Sequence, residues 1–373
     1  MHKFHLLLNS SAYNFSSNTT NELFFNPKWT LMPVVSLLIF IFSSIGNGLL
    51  LIVFIKERSL RTPFNIYVMN LLIANLVCLV FQFPMDIFSS LYSSWLLGER
   101  ACTLYLYANF VLEANICNAH LLIAINRIWA VCNPLSYLTV HSVRTAVVLC
   151  IGVWVYVHVA VSPVVFVDAL YYRLPLYMTG CLMNAPQQKI WCAMVQVIYW
   201  IPEIVMILTV PLMFLVKRAP TASQVAEQNN KIAPVRFFYD GPNGKKRAIP
   251  KISITNPSDA AHRSVNASVP ALGGIQTPDT HLKSRKGKRD RTHGVLVLTL
   301  LTMSVAICWT PSNVYYTISL SQLIDNEVFY QLQTVLFIVQ TVVDPVIFML
   351  ALANLRTAVF RLFRLSSWTL RLT

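Results

Sequence analysis

The sequence predicts an all-α membrane protein, a bundle of seven transmembrane helices followed by a short C-terminal interfacial helix. Three observations carry this. Hydrophobic residues fill 55% of the 373 positions and charged residues only 12%, against roughly 25% charged in a soluble domain. Mean hydropathy is +0.57. Apolar stretches of about 20 residues, enough to cross a bilayer core, recur along the chain. The formal net charge of +14 has to be read by position before it is assigned to a partner. Eight cysteines in a chain of this length do not form a small disulfide scaffold.

Taken in order, residues 1–30 form a polar tail. Its apolar run at 6–8 is too short for a signal-peptide core. Three N-glycosylation sequons follow, at Asn9, Asn14 and Asn18, and place this end outside the cell. The alternative is a disordered Asn/Ser/Thr tail. Five spans are plain: 31–55, 64–88, 145–167, 191–216 and 295–320. A sixth, 329–350, carries Gln340 and Asp344 in an otherwise apolar setting. The stretch 102–131 is studded with Asn109, Glu113, Asn115, Asn118, His120 and Asn126. It counts as a span because such groups can face a bundle interior. The expected membrane domain is 31–350, interrupted by 219–291.

Segment 219–291 is rich in Pro, Ser, Asn and Gly, with basic clusters at 245–247 and 283–291. It cannot bury enough apolar surface to order itself, and its basic ends suit anionic lipid or an acidic partner surface. A solvated linker that only fixes topology reads equally well. With the N-terminus outside, just five of the 29 Lys and Arg fall on the outer side: Lys3, Lys28, Arg100, Arg173 and Lys189. The rest fall on the cytoplasmic side, as the positive-inside rule requires. The basic balance is therefore topology, and no nucleic-acid partner is expected. In the final segment, 351–373, residues 354–365 alternate Leu355, Val359, Phe360, Leu362 and Phe363 with Arg356, Arg361 and Arg364. That pattern predicts an amphipathic helix in the membrane interface.

In the third span, Cys102, Asn109, Glu113, His120 and Arg127 recur at intervals of seven and four, which places them on one helix face. Cys181 lies in the next outer loop, an oxidising setting. A Cys102–Cys181 bridge is expected, with Cys192 as the competing partner. Cys78, Cys117, Cys132, Cys150 and Cys308 are expected to be packed thiols.

These residues resemble the rhodopsin-like G-protein-coupled receptors across all seven spans. Gly46-Asn47 matches the first-span GN pair. The run Asn70 to Leu76, followed by Pro84, resembles NLxxADL. Trp95, Gly98 and Cys102 match WxxGxxxC, and Asn126-Arg127-Ile128 with Val131, Pro134-Leu135 and Tyr137 resembles DRYxAVxxPLxY. Trp154 and Pro163 fit the fourth span and Pro202 the fifth. Cys308-Trp309-Thr310-Pro311 is CWxP, and Asp344-Pro345-Val346-Ile347-Phe348 stands at NPxxY. Joint order and spacing make the resemblance specific.

The departures matter as much. Asn126 replaces the acid that restrains the inner arginine in the family, and the sixth span offers Arg291 instead of an acid. The resemblance therefore implies a loosely locked Arg127. Asn75 and Asp344 exchange the usual acid and amide between the second and seventh spans. Asp344 should then take Asn47 and Asn75 as partners in a mid-bundle polar site. Ile116 stands where a hydroxyl lines the family's sodium site, which argues against sodium there. Phe348 and Val210 replace two tyrosines of the active state, and Cys117 and Val305 depart from the packing triad with Pro202.

By matching position the ligand pocket would be lined by Asn109, Phe110, Glu113, Met194, Trp309, Asn313, Tyr316 and Thr334. Asn109 stands where amine receptors carry Asp, so a standard biogenic amine is not expected. Glu113 is a candidate anchor for a cationic group, or a protonated acid bonded to a neighbouring helix. Ile338 stands where opsins carry the retinal lysine, which removes a covalent-retinal reading. The resemblance implies an extracellular peptide or small-molecule ligand, no cofactor, and signalling through a heterotrimeric G protein. Asn126, Arg127 and Leu135 would form the inner contact, with Trp309, Pro311, Asp344 and Pro345 as switch residues. Arrestin and membrane lipids are further candidate partners. The competing reading is a receptor-shaped protein that does not couple. No nucleophile–base or metal-ligand spacing suggests an enzyme.

Overall fold

The computed structural model describes residues 26–92, 94–176, 180–218, 279–322 and 326–369. The sequons at Asn9, Asn14 and Asn18 and most of segment 219–291 lie outside them. By contacts the chain divides into Met1–Val216 with Arg289–Thr373, and Lys217–Lys288. Most of the described residues are helical, with no strand among them. Among the described residues seven helices are long and apolar enough to cross a bilayer: Leu31–Lys56, Pro63–Leu91, Gly98–Cys132, Val143–Tyr172, Lys189–Leu212, Val297–Ser321 and Glu327–Ala351. All seven sequence-predicted spans are present; the first starts where expected, and the ends of the others move by a few residues.

Each span sorts its two faces. In the first, Leu38, Ile41, Phe42, Ile45 and Ile52 face outward, while Ser36, Ser43, Asn47, Leu50 and Phe54 are buried. With lipid as solvent, apolar side chains can cover the outside and polar ones must find partners within. The third span is the central one, with 72% of its membrane window buried against 22% in the fourth. That explains why its sequence is the most polar of the seven. The main apolar core includes Phe54, Tyr67, Leu71, Leu72, Ile123, Trp309 and Phe348.

Three local features place the site. The second span breaks at Gln82, between helical segments Pro63–Phe81 and Phe83–Leu91. Pro84 supplies the cause, because it has no N–H for the preceding turn. In the third span a π turn at Ala108–Leu112 frees backbone carbonyls, and Tyr199 Oη donates to two of them, Asn109 O at 3.1 Å and Phe110 O at 3.0 Å. Gly46 lies so close to the seventh span that an added Cβ would sit 3.0 Å from Pro345 Cγ.

At the outer end Cys102 and Cys181 form the disulfide, with Cα atoms 5.5 Å apart, and Cys192 is free. Asp168 organises the same region. It pairs with Arg173 Nε at 3.2 Å and accepts from Asn184 N and Gln188 Nε2 at 3.0 Å each. Cys78, Cys117, Cys150 and Cys308 are buried as expected, but Cys132 is exposed. It ends the third-span helix, next to the Asn133–Pro134 turn, so no neighbouring span covers it. The final helix runs Ala353–Thr369. Leu355, Ala358 and Val359 pack inward while Phe360 and Phe363 are exposed, the two-sided pattern of an interfacial helix.

Candidate functional site

Three polar clusters lie along the third span. The middle one surrounds Asp344, which is fully buried. Its Oδ1 lies 2.8 Å from His120 Nε2 and accepts from Gln340 Nε2 at 2.7 Å. Its Oδ2 accepts from Asn75 Nδ2 at 3.0 Å. Asn47 makes no direct hydrogen bond to Asp344. Its Oδ1 accepts from Asn75 Nδ2 at 3.0 Å, while its own amide donates to the Ser43 and Thr341 carbonyls. A Ser43–Thr341 hydroxyl contact at 2.6 Å closes the seam between first and seventh spans. Asn47 therefore acts through Asn75. His120 and Gln340 are the near partners that motif matching missed. Their polarity inside an apolar span was the available signal.

The outer cluster forms where the second span breaks. Gln82 Nε2 donates to Asn109 Oδ1 at 2.7 Å and to Glu113 Oε1. Glu113 is thus hydrogen-bonded to a neighbouring helix and remains half-buried. One turn further out Tyr105 Oη donates to Asp86 Oδ1 at 2.7 Å. Between the fifth and sixth spans Glu203, fully buried, accepts from Asn313 Nδ2 and from Thr310 Oγ1. Gln196 Nε2 donates to Asn313 Oδ1 at 3.1 Å. A narrow cavity with room for about one water-sized group is bounded by Gln82, Glu113, Trp309, Ile338, Gln340 and Thr341 among others. Among the described residues Asp86, Glu113 and Glu203 have no cationic partner.

Of the residues matched to the ligand pocket, Asn109 and Glu113 share Gln82. Trp309 is buried, 4.9 Å centre to centre and edge-on to His120. Asn313 is held by Glu203. Phe110 packs in the outer apolar cluster beside Val111 and Ala114. Thr334 Oγ1 donates to the Tyr330 carbonyl and accepts from Gln333. Tyr316 is 46% exposed, yet it lies about 180° around the helix from the outward-facing Ile307 at 100° per residue. Met194 is not brought to the cluster. It shares the outward stripe of Ile190, Val197, Ile201, Ile204 and Leu208. Glu203 and Gln82 were missed. Both sit within two residues of a span proline, in sequence that is otherwise apolar.

The inner cluster contains the restraint on Arg127. No carboxylate pairs with it among the described residues. Its guanidinium carbon instead lies 3.2 Å from the centre of the Phe64 ring, and Nε has no hydrogen-bond partner. Asn126, where the family has an acid, is buried and bonded to the second inner loop. Its Oδ1 accepts from Tyr137 Oη at 3.3 Å and its Nδ2 donates to His141 Nε2 at 2.9 Å. His141 stacks on Tyr67 and Tyr137, with Trp129 at its edge. Burial first, and the nearby Arg127 charge second, lower the His141 pKa from its ordinary value. Leu135 is 75% exposed beside this cluster. Pro311 and Pro345 sit inside the sixth- and seventh-span helices.

Residues 46–348 match the family model described as 7 transmembrane receptor (rhodopsin family). The chain belongs to that family. It is 33% identical over 128 residues to melanopsin of Homo sapiens, covering 34% of this chain and 27% of the relative. It is 26% identical over 186 residues to melatonin receptor type 1B-B of Danio rerio, covering 48% and 52%. A melanopsin-like protein of Danio rerio is 36% identical over 124 residues, covering 33% and 24%. The chain thus aligns with about a quarter of the length of these melanopsin relatives and about half of the melatonin receptor. It is a multi-pass membrane protein of a receptor family, and the family's members are not enzymes.

Proposed function

We propose that the chain is a cell-surface receptor that binds an extracellular ligand in the outer half of its bundle and signals through heterotrimeric G proteins. The family match over residues 46–348 carries this reading. In this reading the sequon-bearing tail 1–30 is extracellular. Segment 219–291 is a basic third cytoplasmic loop inside the 31–350 membrane domain, and 351–373 is cytoplasmic. Arg127 and the exposed Leu135 form the floor met by the G protein. Trp309, Pro311, Asp344 and Pro345 transmit the shift between two packings. Anionic lipid and arrestin would meet the same basic inner face.

The ligand is a small molecule or peptide bearing a cationic or many-donor group. Three outer carboxylates without a described cationic partner support that choice, and Asn109 speaks against a standard amine. Likeness to melanopsins does not bring an opsin's covalent retinal with it, because Ile338 stands in place of the lysine. A non-coupling receptor is the second reading, supported by Asn126, Val210 and Phe348 at switch positions. A ligand-free activation panel across G-protein classes, with Arg127→Ala as control, separates the two. Basal activation above mock-transfected cells that Arg127→Ala abolishes is the expected result. Activation indistinguishable from mock, with no G-protein recruitment under any agonist, would leave the second reading standing.

A further inference from the structure

The middle cluster carries more than a set of hydrogen bonds, because its proton count is fixed by geometry. His120 Nδ1 lies 2.9 Å from the Ile116 carbonyl oxygen. A carbonyl only accepts, so Nδ1 must carry a hydrogen. Nε2 faces Asp344 Oδ1 at 2.8 Å. A bare carboxylate against a neutral ring would set two lone pairs face to face at that distance. One proton must therefore lie on the Nε2–Oδ1 line, held by the nitrogen or the oxygen. Either way the pair has no net charge, which suits two side chains with no exposure in a bilayer-spanning bundle.

We propose that His120 and Asp344 form a resident proton site that latches the third span to the seventh and positions Trp309. Each remaining neighbour fits this role. Asn75 holds Asp344 from the second span and Gln340 from within the seventh. Among the described residues the buried thiols of Cys117 and Cys308 are further titratable groups near Asp344. Separating the two spans would strand an imidazole on one helix and a carboxyl on the other, with the proton assigned to only one. That outcome is costly in a dry interior, so the contact has two discrete states rather than a graded range.

The latch also touches the outer cavity. Trp309 lies edge-on to the His120 ring and Gln340 bonds Asp344, and both line the cavity that Glu113 and Gln82 share. Gln340 Oε1 is buried without a partner. A donor group entering the cavity that engages this amide can draw Gln340 away from Asp344. The route from ligand to latch then needs only one side chain to move.

The test uses the full chain in lipid nanodiscs. A fluorophore on the exposed Cys132, in a Cys192→Ser background, reports the inner end of the third span. His120→Phe and Asp344→Leu, each leaving no polar group on its side of the contact, should each shift the probe signal to the same new value. Each should also raise basal G-protein activation about fivefold or more at matched surface level. The double variant should go no further, and the exchanged pair His120→Asp with Asp344→His should return both readouts towards native. Native-like probe signals in the single variants, or additive effects in the double, overturn the proposal. The probe responds whether or not the chain couples, so absent G-protein activation tests the signalling reading alone. Nitrogen-15 NMR of the native chain is the mutation-free measurement. His120 with both ring nitrogens bound to or bridged by a proton is expected, and an Nε2 with an unshared lone pair overturns the proposal.

Discussion

Arg127 rests on the face of Phe64, its guanidinium carbon 3.2 Å from the ring centre. The restraint on the inner arginine is therefore aromatic where the sequence lacks an acid to supply an ionic one. A desolvated cation–π contact is worth about 2 kcal/mol, an exposed one roughly 0.5–1. Since 1.4 kcal/mol is about tenfold in an equilibrium, Phe64→Leu should raise ligand-independent G-protein activation by roughly three- to tenfold. Phe64→Tyr, which retains the ring, should stay near the native level. Equal basal activation in all three at matched surface expression would show that the ring does not hold Arg127.

The outer bridge joins cysteines 79 positions apart. Closing a loop of that length removes on the order of 4 to 5 kcal/mol of unfolded-state entropy in the chain-entropy model. Cys102→Ala and Cys181→Ala should each reduce surface expression severely and lower the melting temperature of the solubilised protein. Cys192→Ser should change neither. A phenotype confined to Cys192 would mean the loop pairs through the competing thiol.

Gln82 links Glu113 to Asn109 and leaves Glu113 half-buried at the cavity. A hydrogen bond to a charged group contributes about 1.5–3 kcal/mol. For a cationic agonist, Glu113→Gln should therefore raise the half-maximal concentration about tenfold or more. For a neutral agonist the potency should hardly move. Unchanged potency for the charged compound would remove Glu113 as its anchor.

Much of this was legible in the sequence. Length and hydropathy give six of the spans, because bilayer thickness fixes helix length; the polar third is legible only by allowing its polar groups to face the bundle interior. Loop position narrowed the partner of Cys102 to Cys181 or Cys192, and the structure pairs it with Cys181. Side-chain contacts across helices were legible only in part. Asp344 announced itself as a mid-span acid, but choosing His120 as its partner needs the rotation of two helices, which spacing on one helix does not give. The facing of Met194 was not legible for a related reason. Matching a family position fixes where a residue falls along the fifth span, whereas the outward stripe from Ile190 to Leu208 shows which way it faces. Phe64 carries no polar signal, so its role at Arg127 had none to offer.

His141 makes the inner face sensitive to acid, and the sign follows from its contacts. Asn126 Nδ2 donates to His141 Nε2, so that nitrogen must keep its lone pair and the ring must stay neutral. Burial and the Arg127 charge favour the same neutral form and lower the folded-state pKa below the ordinary value of 6.5. Below about pH 6.5 the unfolded chain binds a proton that the folded cluster refuses. Stability should therefore fall as pH drops through that value, and the loss should level off once pH is below the depressed folded-state pKa. Thermal unfolding in nanodiscs between about pH 7.5 and 5.5 should show a decline that is smaller in His141→Gln, which retains an acceptor for Asn126 but cannot be protonated in this range. An identical pH profile in the native chain and the variant would show that the proton acts at another histidine.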